Sequence, residues 1–210
     1  MTRNVGEYFE TIASDFDSYY EKPKNNLDAL INAGLRRPGL LKRLKITLTL
    51  SNPKEEMKIL EIGCGSGKYI VECAKKGADT WGIDISPEMI RLAKRFCAEN
   101  QVHAHLSVGD ALKKLPQGFD VCVALGVFEY FKNPLPILNN MIAATNKNGK
   151  IIFSVPKQYA FQTPLREMML HYRNVDCYYY TKGKVKKLLN NKNHNIYDYG
   201  PGYVVEYCKS

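Results

Sequence analysis

Apolar residues change their spacing along this 210-residue chain, and the changes divide it into three regions. In residues 1–50 the apolar positions recur every three or four residues, which predicts helices. The positions concerned are Val5, Tyr8, Phe9, Ile12, Phe16 and Tyr19, followed by Leu27, Leu30, Ile31 and Leu35. Ser51-Asn52-Pro53 then interrupts the pattern, so we expect an N-terminal helical cap over 1–50 and a separate domain over 51–210.

Residues 54–156 alternate short apolar strands with helical segments. Strands are predicted over 57–62, 79–84, 103–108, 119–125 and 150–155, and helices over 67–76, 87–99 and 134–145. Ser86 is a suitable N-cap for the second of these helices, with Pro87 at its first position. This alternation is typical of a parallel sheet covered by helices on both faces.

The alternation stops after residue 156. A helix is predicted near 165–171, three consecutive tyrosines follow at 178–180, and a basic helix is predicted over 181–191. Two further strands, near 194–199 and 203–208, are separated by Gly-Pro-Gly. We therefore predict an α/β fold whose seven-stranded, mostly parallel sheet ends in an antiparallel C-terminal hairpin.

Composition indicates a cellular compartment and the state of the cysteines, but it identifies no partner. No apolar run reaches the roughly 20 residues of a membrane span, and the N-terminus lacks a signal-peptide core, so we expect a cytoplasmic protein. Six cysteines show no CxxC pair and no histidine at ligand spacing, which predicts free thiols and no metal. The net charge of +9 is compatible with a solvated surface, an anionic substrate or nucleic acid.

The first candidate binding motif is the set of glycines at 63, 65 and 67, which directly follows the strand at 57–62. Glycines at a strand-to-helix junction allow a sharp turn and leave room for a nucleoside. The spacing is GxGxG rather than the GxGxxG that directs a helix at a pyrophosphate. Asp84 ends the next strand, where a carboxylate can accept both ribose hydroxyls, and Asp110 ends the third, near an adenine amino group. Glu61 would favour a cationic ligand, so the set fits S-adenosylmethionine better than NAD.

Four motifs in this order resemble the class I S-adenosylmethionine-dependent methyltransferases, and most closely the small-molecule group that includes quinone-biosynthesis and magnesium-protoporphyrin methyltransferases. The motifs are Leu60-Glu61-Ile62-Gly63-Cys64-Gly65-Ser66-Gly67, Gly82-Ile83-Asp84-Ile85-Ser86-Pro87-Glu88-Met89-Ile90, Gly109-Asp110-Ala111, and Phe119-Asp120-Val121 through Leu125-Gly126-Val127-Phe128-Glu129-Tyr130. The resemblance implies a Rossmann-like class I methyltransferase fold with S-adenosylmethionine as cofactor.

The resemblance also implies where the cofactor would lie. Its methionine and sulfonium end would contact Glu61, Gly63, Gly65 and the backbone at Leu125. Its ribose would bind Asp84, and its adenine would contact Ile85, Asp110 and Ala111. Tyr19 belongs to the segment that would close over the cofactor. Strand-end turns remain an alternative for Asp84 and Asp110, and core packing is one for Ile85.

Candidates for the acceptor side are fewer, because methyl transfer needs a general base only when the acceptor must lose a proton. Many relatives carry Leu-Glu-His after the fourth strand, where this chain has Phe128-Glu129-Tyr130. We name Tyr130 and His171 as catalytic candidates, with a packed aromatic and a surface histidine as the alternatives. A substrate lid over 157–180 would supply Arg166 for an anionic group and Tyr159 and Tyr172 for an aromatic one.

The predicted function is methyl transfer from S-adenosylmethionine to a small-molecule acceptor, aromatic or anionic, by proximity and orientation. A nucleic-acid or protein methyltransferase is the first alternative. Enzymes that methylate the amino group of a base usually carry Asn/Asp-Pro-Pro-aromatic where this chain has Leu125-Gly126-Val127-Phe128, so nucleic acid is not expected as a partner. A non-catalytic methyltransferase-like binding subunit is the second. The acceptor atom and the oligomeric state stay open.

Overall fold

Seven strands form one sheet in the order β3-β2-β1-β4-β5-β7-β6. The computed structural model describes residues 6, 10, 37–161, 163–172, 175–190 and 192–209. The strands are β1 (Lys58–Ile62), β2 (Asp79–Asp84), β3 (His105–Val108), β4 (Phe119–Ala124), β5 (Thr145–Pro156), β6 (His194–Asp198) and β7 (Gly202–Cys208). The helices are α1 (Arg37–Ser51), α2 (Lys68–Ala74), α3 (Pro87–Glu99), α4 (Leu135–Ala144), α5 (Thr163–Tyr172) and α6 (Lys182–Leu188), with a 3₁₀ turn at Phe128–Tyr130.

The predicted parallel sheet with a C-terminal antiparallel hairpin is confirmed. The pairs from β3 through β5 are parallel, whereas β7 runs antiparallel to both of its neighbours, β5 and β6. The chain builds outward from β1 to β3 and then returns to place β4 on the other side of β1. This reversal opens a crevice at the carboxyl ends of β1 and β4, where α/β sheets bind their ligands.

Side chains that alternate along the strands form a core on each face of the sheet. Leu60 and Cys122 point to the cluster that contains α4, whereas Ile59 and Val121 point to the one that contains α1 and α2. β4 is almost wholly buried, as expected of a strand covered on both faces. Glu61 is two residues from Ile59, so it shares the α1 face of the sheet.

The predicted helix start at Ser86 is confirmed in detail, because Ser86 Oγ accepts a hydrogen bond from Met89 N at 3.2 Å. The start of β5 differs from the prediction. It begins at Thr145, because Thr145 pairs with Phe119 across a register shift. Asn148, with φ of 64°, then turns the chain, and its N–H donates to Lys209 O at 2.8 Å. Residues 145–149, which lie before the predicted strand, are therefore held in the sheet by β4 and Lys209.

Helical conformation is also present at Gly6 and Glu10. All the apolar positions named above for the predicted N-terminal helices, including Tyr19, lie outside the described residues. Where the chain is described, it has no helix of the length and apolar character that crossing a membrane requires.

Candidate active site

The glycine turn after β1 has a backbone that only glycine adopts easily. Gly63, Gly65 and Gly67 have φ values of 67°, 52° and 82°. The N–H groups of Gly63 and Cys64 both donate to Ile83 O on β2, at 2.8 and 3.0 Å. The turn is therefore fixed to the neighbouring strand, and it leads directly into α2.

Gly63 also allows close packing from the other side of the crevice. A Cβ placed on Gly63 would lie 2.5 Å from Val127 Cγ2. Val127 lies just after the end of β4, and its side chain packs against the backbone of the glycine turn. The two halves of the crevice meet at this contact, and a larger residue at either position would separate them.

Asp84 holds the glycine turn from the end of β2. Its Oδ2 accepts from Gly65 N at 2.9 Å and its Oδ1 accepts from Ser86 N at 3.0 Å. Burial raises the pKa of this carboxyl, and the backbone hydrogen bonds from Ser86, Gly65 and Ile85 oppose that effect. Each oxygen can still accept from a ribose hydroxyl, so the turn role and the ligand role are compatible.

Glu61 is a buried carboxyl with an unused oxygen. Its Oε2 is buried and has no hydrogen-bond partner within the described part of the chain. Burial raises the pKa of Glu61 well above its ordinary value, attraction to Arg43 lowers it, and repulsion from Asp84 raises it further. A buried acceptor without a donor is costly, so this carboxyl is suited to a ligand that brings a cation or an N–H group.

One pocket brings most of these groups together. It is lined by the α1 helix, the glycine turn, the start of α2 and the residue after β4: Arg43, Leu44, Glu61, Gly63, Cys64, Gly65, Ser66, Lys68, Tyr69 and Leu125. Four predicted cofactor residues, Glu61, Gly63, Gly65 and Leu125, therefore share this pocket. Asp84 adjoins it through its hydrogen bond to Gly65.

Arg43 is a charged pocket residue that the sequence did not indicate. It lies in α1, within a basic stretch that reads as an ordinary solvated helix face. Its Nη1 lies 3.5 Å from Ser154 Oγ on β5, and a Cβ on Gly126 would lie 3.1 Å from the same nitrogen. The guanidinium is thus inserted above the sheet, beside Glu61, where it can bind a carboxylate.

The predicted adenine contacts lie along the neighbouring strand ends. Ile85 is half-buried after β2, and a Cβ on Gly6 would lie 4.0 Å from Ile85 Cγ2. Asp110 uses Oδ1 to accept from Leu112 N at 2.9 Å, as an Asx turn does. Ala111 is fixed from α4, because its carbonyl accepts from Asn140 Nδ2 at 2.8 Å.

The residues predicted to contact the acceptor are not among the described residues that line this pocket. Arg166 Nη2 donates to Glu129 Oε1 at 2.9 Å, with side-chain exposures of 31% for Arg166 and 4% for Glu129. Oε2 of Glu129 is buried and unpartnered among the described residues. Tyr130, the next residue, is buried in the α4-side core.

The other acceptor candidates are exposed on the surface or lie outside the described residues. Tyr159 is 80% exposed, and His171 is exposed on α5. The side chain of Tyr172, like the whole of Tyr19, lies outside the described residues. The roles of these residues, and those of Tyr130 and Arg166, stay predictions.

Two named relatives each match about half of this chain. The chain is 30% identical over 122 residues to a ubiquinone biosynthesis O-methyltransferase of Coxiella burnetii, covering 57% of this chain and 50% of that protein. It is 38% identical over 104 residues to a ribosomal protein L11 methyltransferase of Neisseria meningitidis, covering 48% of this chain and 33% of that protein. This chain therefore aligns with half or less of the length of either relative.

Similarity in structure extends over the whole chain. A magnesium protoporphyrin IX methyltransferase from Synechocystis PCC 6803, crystallised with S-adenosylhomocysteine, superposes with a TM-score of 0.79 at 17% identity, covering 98% of both chains. At that identity the likeness establishes the fold, which confirms the predicted class I methyltransferase architecture. Residues 35–199 match the family described as a methyltransferase domain, and they include the pocket. The chain belongs to this methyltransferase-domain family.

Proposed function

We propose that this chain transfers a methyl group from S-adenosylmethionine to a small-molecule acceptor. The observation that carries the proposal is the buried, unpartnered Oε2 of Glu61 beside a glycine turn that Asp84 holds in place. That combination fits a ligand with a cationic amino-acid end and a ribose. The named relatives support the same chemistry, since two of the three methylate small molecules according to their names.

Each part of the cofactor would have a complementary group in the chain. Arg43 would bind the methionine carboxylate, and Glu61 would accept from the ammonium group and favour the nearby positive charge. Asp84 would accept from the ribose hydroxyls. Asp110, through its second oxygen, would accept from the adenine amino group, while Ile85 would pack on the ring. The backbone at Gly63, Gly65 and Leu125 would leave space for the methionine chain.

The N-terminal region would complete this site as a cap. Two observations support this: α1 places Arg43 in the pocket, and Gly6 lies beside Ile85. A cap over the adenine would exclude water and control product release. Tyr19 would belong to it, as the sequence resemblance implies.

Bound S-adenosylmethionine supplies an electrophilic methyl group on a sulfonium ion. The chain would contribute mainly by holding this group and the acceptor in line within a dry crevice. The acceptor would enter beside Val127, under the 157–180 lid. There Tyr130 and His171 are the candidate catalytic groups, and Arg166, Tyr159 and Tyr172 are those that could recognise an anionic or aromatic acceptor.

Calorimetry with S-adenosylmethionine tests the cofactor assignment directly. We expect binding by the native protein and a loss on the order of 100-fold in affinity for Asp84→Ala, because two charge-assisted hydrogen bonds and the ribose acceptors disappear. Asp120→Ala is the matched control, since Asp120 also pairs with backbone but at the far end of β4. No heat of binding with the native protein would refute the proposal and favour a non-catalytic binding subunit.

A screen for S-adenosylhomocysteine release tests the acceptor class. Quinols, porphyrins, phenols, amines and carboxylic acids should include at least one compound that consumes the cofactor. A protein acceptor is the second candidate, because the L11 methyltransferase shares 38% identity, although over only 33% of its length. Turnover with ribosomal protein but with none of the small molecules would establish that second function.

A further inference from the structure

We propose that the segment following β5, together with α6, forms a surface that docks on anionic lipid bilayers. We call it the rim surface and define it as residues 157–161, 163–168 and 182–192, without residue 191. This inference does not depend on the proposed methyl transfer, because the docking requires neither cofactor nor acceptor.

The first observation is the exposure of large apolar side chains. Seven such side chains are exposed among the described residues, and the three most exposed all belong to the rim surface. They are Phe161, Tyr159 and Met168, at 94%, 80% and 64%. Scattered exposed apolar residues are ordinary, but three of the largest within ten residues of sequence mark an interaction site.

The second observation is the concentration of positive charge. Residues 157–192 contain eight lysines and arginines but only two acidic residues, so they carry six of the nine net positive charges of the chain. On α6 and just after it, five lysines are exposed: Lys182, Lys184, Lys186, Lys187 and Lys192. None of these five forms an ion pair with a described acidic residue, and the acidic residues of the stretch are Glu167 and Asp176.

The backbone joins the apolar and basic parts into one surface. Lys157 and Tyr180 form a parallel bridge, and Gln158 N donates to Tyr180 O at 2.9 Å. Residues 159–161 therefore leave the sheet beside Thr181, the N-cap of α6. Thr163 Oγ1 also donates to Lys157 O at 3.0 Å, which fixes the start of α5 to the same point.

A lipid surface explains this combination better than nucleic acid does. Aromatic and apolar side chains beside lysines are the composition with which peripheral proteins enter the interfacial region of a bilayer. Lysines gain from the negative potential of anionic headgroups, while Phe161 and Met168 would enter the acyl boundary. A nucleic acid would satisfy the lysines but would give no apolar environment to Met168.

Vesicle flotation of the full chain tests the docking. Vesicles of phosphatidylcholine alone are compared with vesicles that also contain phosphatidylglycerol, without cofactor or acceptor. We expect binding to the anionic vesicles, weak binding to the neutral ones, and a large loss near 1 M salt, where the screening length falls to about 3 Å. Binding that does not depend on phosphatidylglycerol would overturn the proposal.

Two sets of variants locate the surface. Phe161→Ser with Met168→Ser should weaken binding by roughly tenfold or more, whereas Val108→Ser, on the edge strand at the opposite end of the sheet, should have no effect. Replacing Lys182, Lys186 and Lys187 by Gln should weaken binding on the order of 100-fold. The matched control replaces the exposed Lys94, Lys113 and Lys114.

Circular dichroism confirms that each variant is folded before its binding is compared. Equal losses for the rim variants and their controls would show that net charge alone drives the association, and would overturn the proposal. Salt-sensitive binding to single-stranded RNA, with no vesicle binding, would do the same and assign the surface to nucleic acid.

Discussion

The pocket proposed for the cofactor and the acceptor region, which comprises the 157–180 segment and the 3₁₀ turn at Phe128–Tyr130, are built in opposite ways. In the pocket, the turn after β1 is held by backbone hydrogen bonds to Ile83 and by the carboxylate of Asp84. In the acceptor region, the Arg166–Glu129 ion pair joins α5 to the 3₁₀ turn after β4. The most exposed large apolar side chains among the described residues, Phe161, Tyr159 and Met168, lie just before or within α5. The contrast teaches that the pocket proposed for the cofactor is built into the sheet, whereas the region proposed for the acceptor is a segment packed outside it.

Removing the Arg166–Glu129 ion pair should give the largest effect. We expect Arg166→Met to lower the free energy of unfolding by about 3 kcal/mol, because it leaves the buried Glu129 charged without a partner. Glu129→Gln should cost less, about 1 kcal/mol, since the partly exposed Arg166 remains solvated. Denaturant unfolding measures both, and hydrogen exchange should show faster opening at 157–180. Equal losses for the two variants would contradict the assigned burial of Glu129.

A substitution in the glycine turn should lower the free energy of unfolding almost as much, and it should also weaken cofactor binding. Gly63→Ala places a Cβ at a positive φ and 2.5 Å from Val127 Cγ2, so we expect a loss of about 2 kcal/mol in stability and much weaker cofactor binding. The double variant Gly63→Ala with Val127→Ala removes the clash but keeps the backbone strain. Thermal unfolding of the two proteins separates these causes, and no recovery in the double variant would rule out the Val127 contact.

Arg43 lies in α1, which precedes the alternating strands and helices, yet its side chain supplies a positive charge to the pocket. We expect Arg43→Gln to weaken S-adenosylmethionine binding roughly tenfold through loss of a charge-assisted contact to the carboxylate. Calorimetry with methylthioadenosine, which lacks the amino-acid part, is the control. That ligand should bind both proteins equally. An equal loss of affinity for both ligands would show that Arg43 does not act through the methionine carboxylate.

The smallest effect concerns pH. Burial raises the pKa of Glu61, so the free protein keeps a proton on this carboxyl to a higher pH than usual. A cationic ligand binds the ionised form, and its affinity should therefore rise with pH, by at most about tenfold per unit, until the raised pKa is passed. Glu61→Gln should remove this slope, while titration of the ligand itself is common to both proteins. The ratio of the two proteins' affinities, measured as a function of pH, tests whether the contribution of Glu61 to binding rises with pH.

Local patterns predicted most of the fold and the centre of the site. Ser86 and Pro87 fixed the start of α3, and alternating apolar residues predicted β1 and β4, because each signal acts within a few residues. The glycine spacing likewise predicted the turn that lines the pocket. Arg43 was missed, because a basic residue on a helix has the same sequence signature whether it faces solvent or a pocket. The partner of Arg166 was missed because Glu129 lies 37 residues away along the chain.

By itself, the sequence determined the α/β order, the glycine turn and the carboxylates at the strand ends, since backbone conformation and strand polarity follow from local residue types. Only the tertiary structure decided which charges meet. It placed Arg43 beside Glu61, paired Arg166 with Glu129, and left Phe161 exposed to solvent. Those outcomes depend on the packing of distant segments, and no spacing along the chain encodes them.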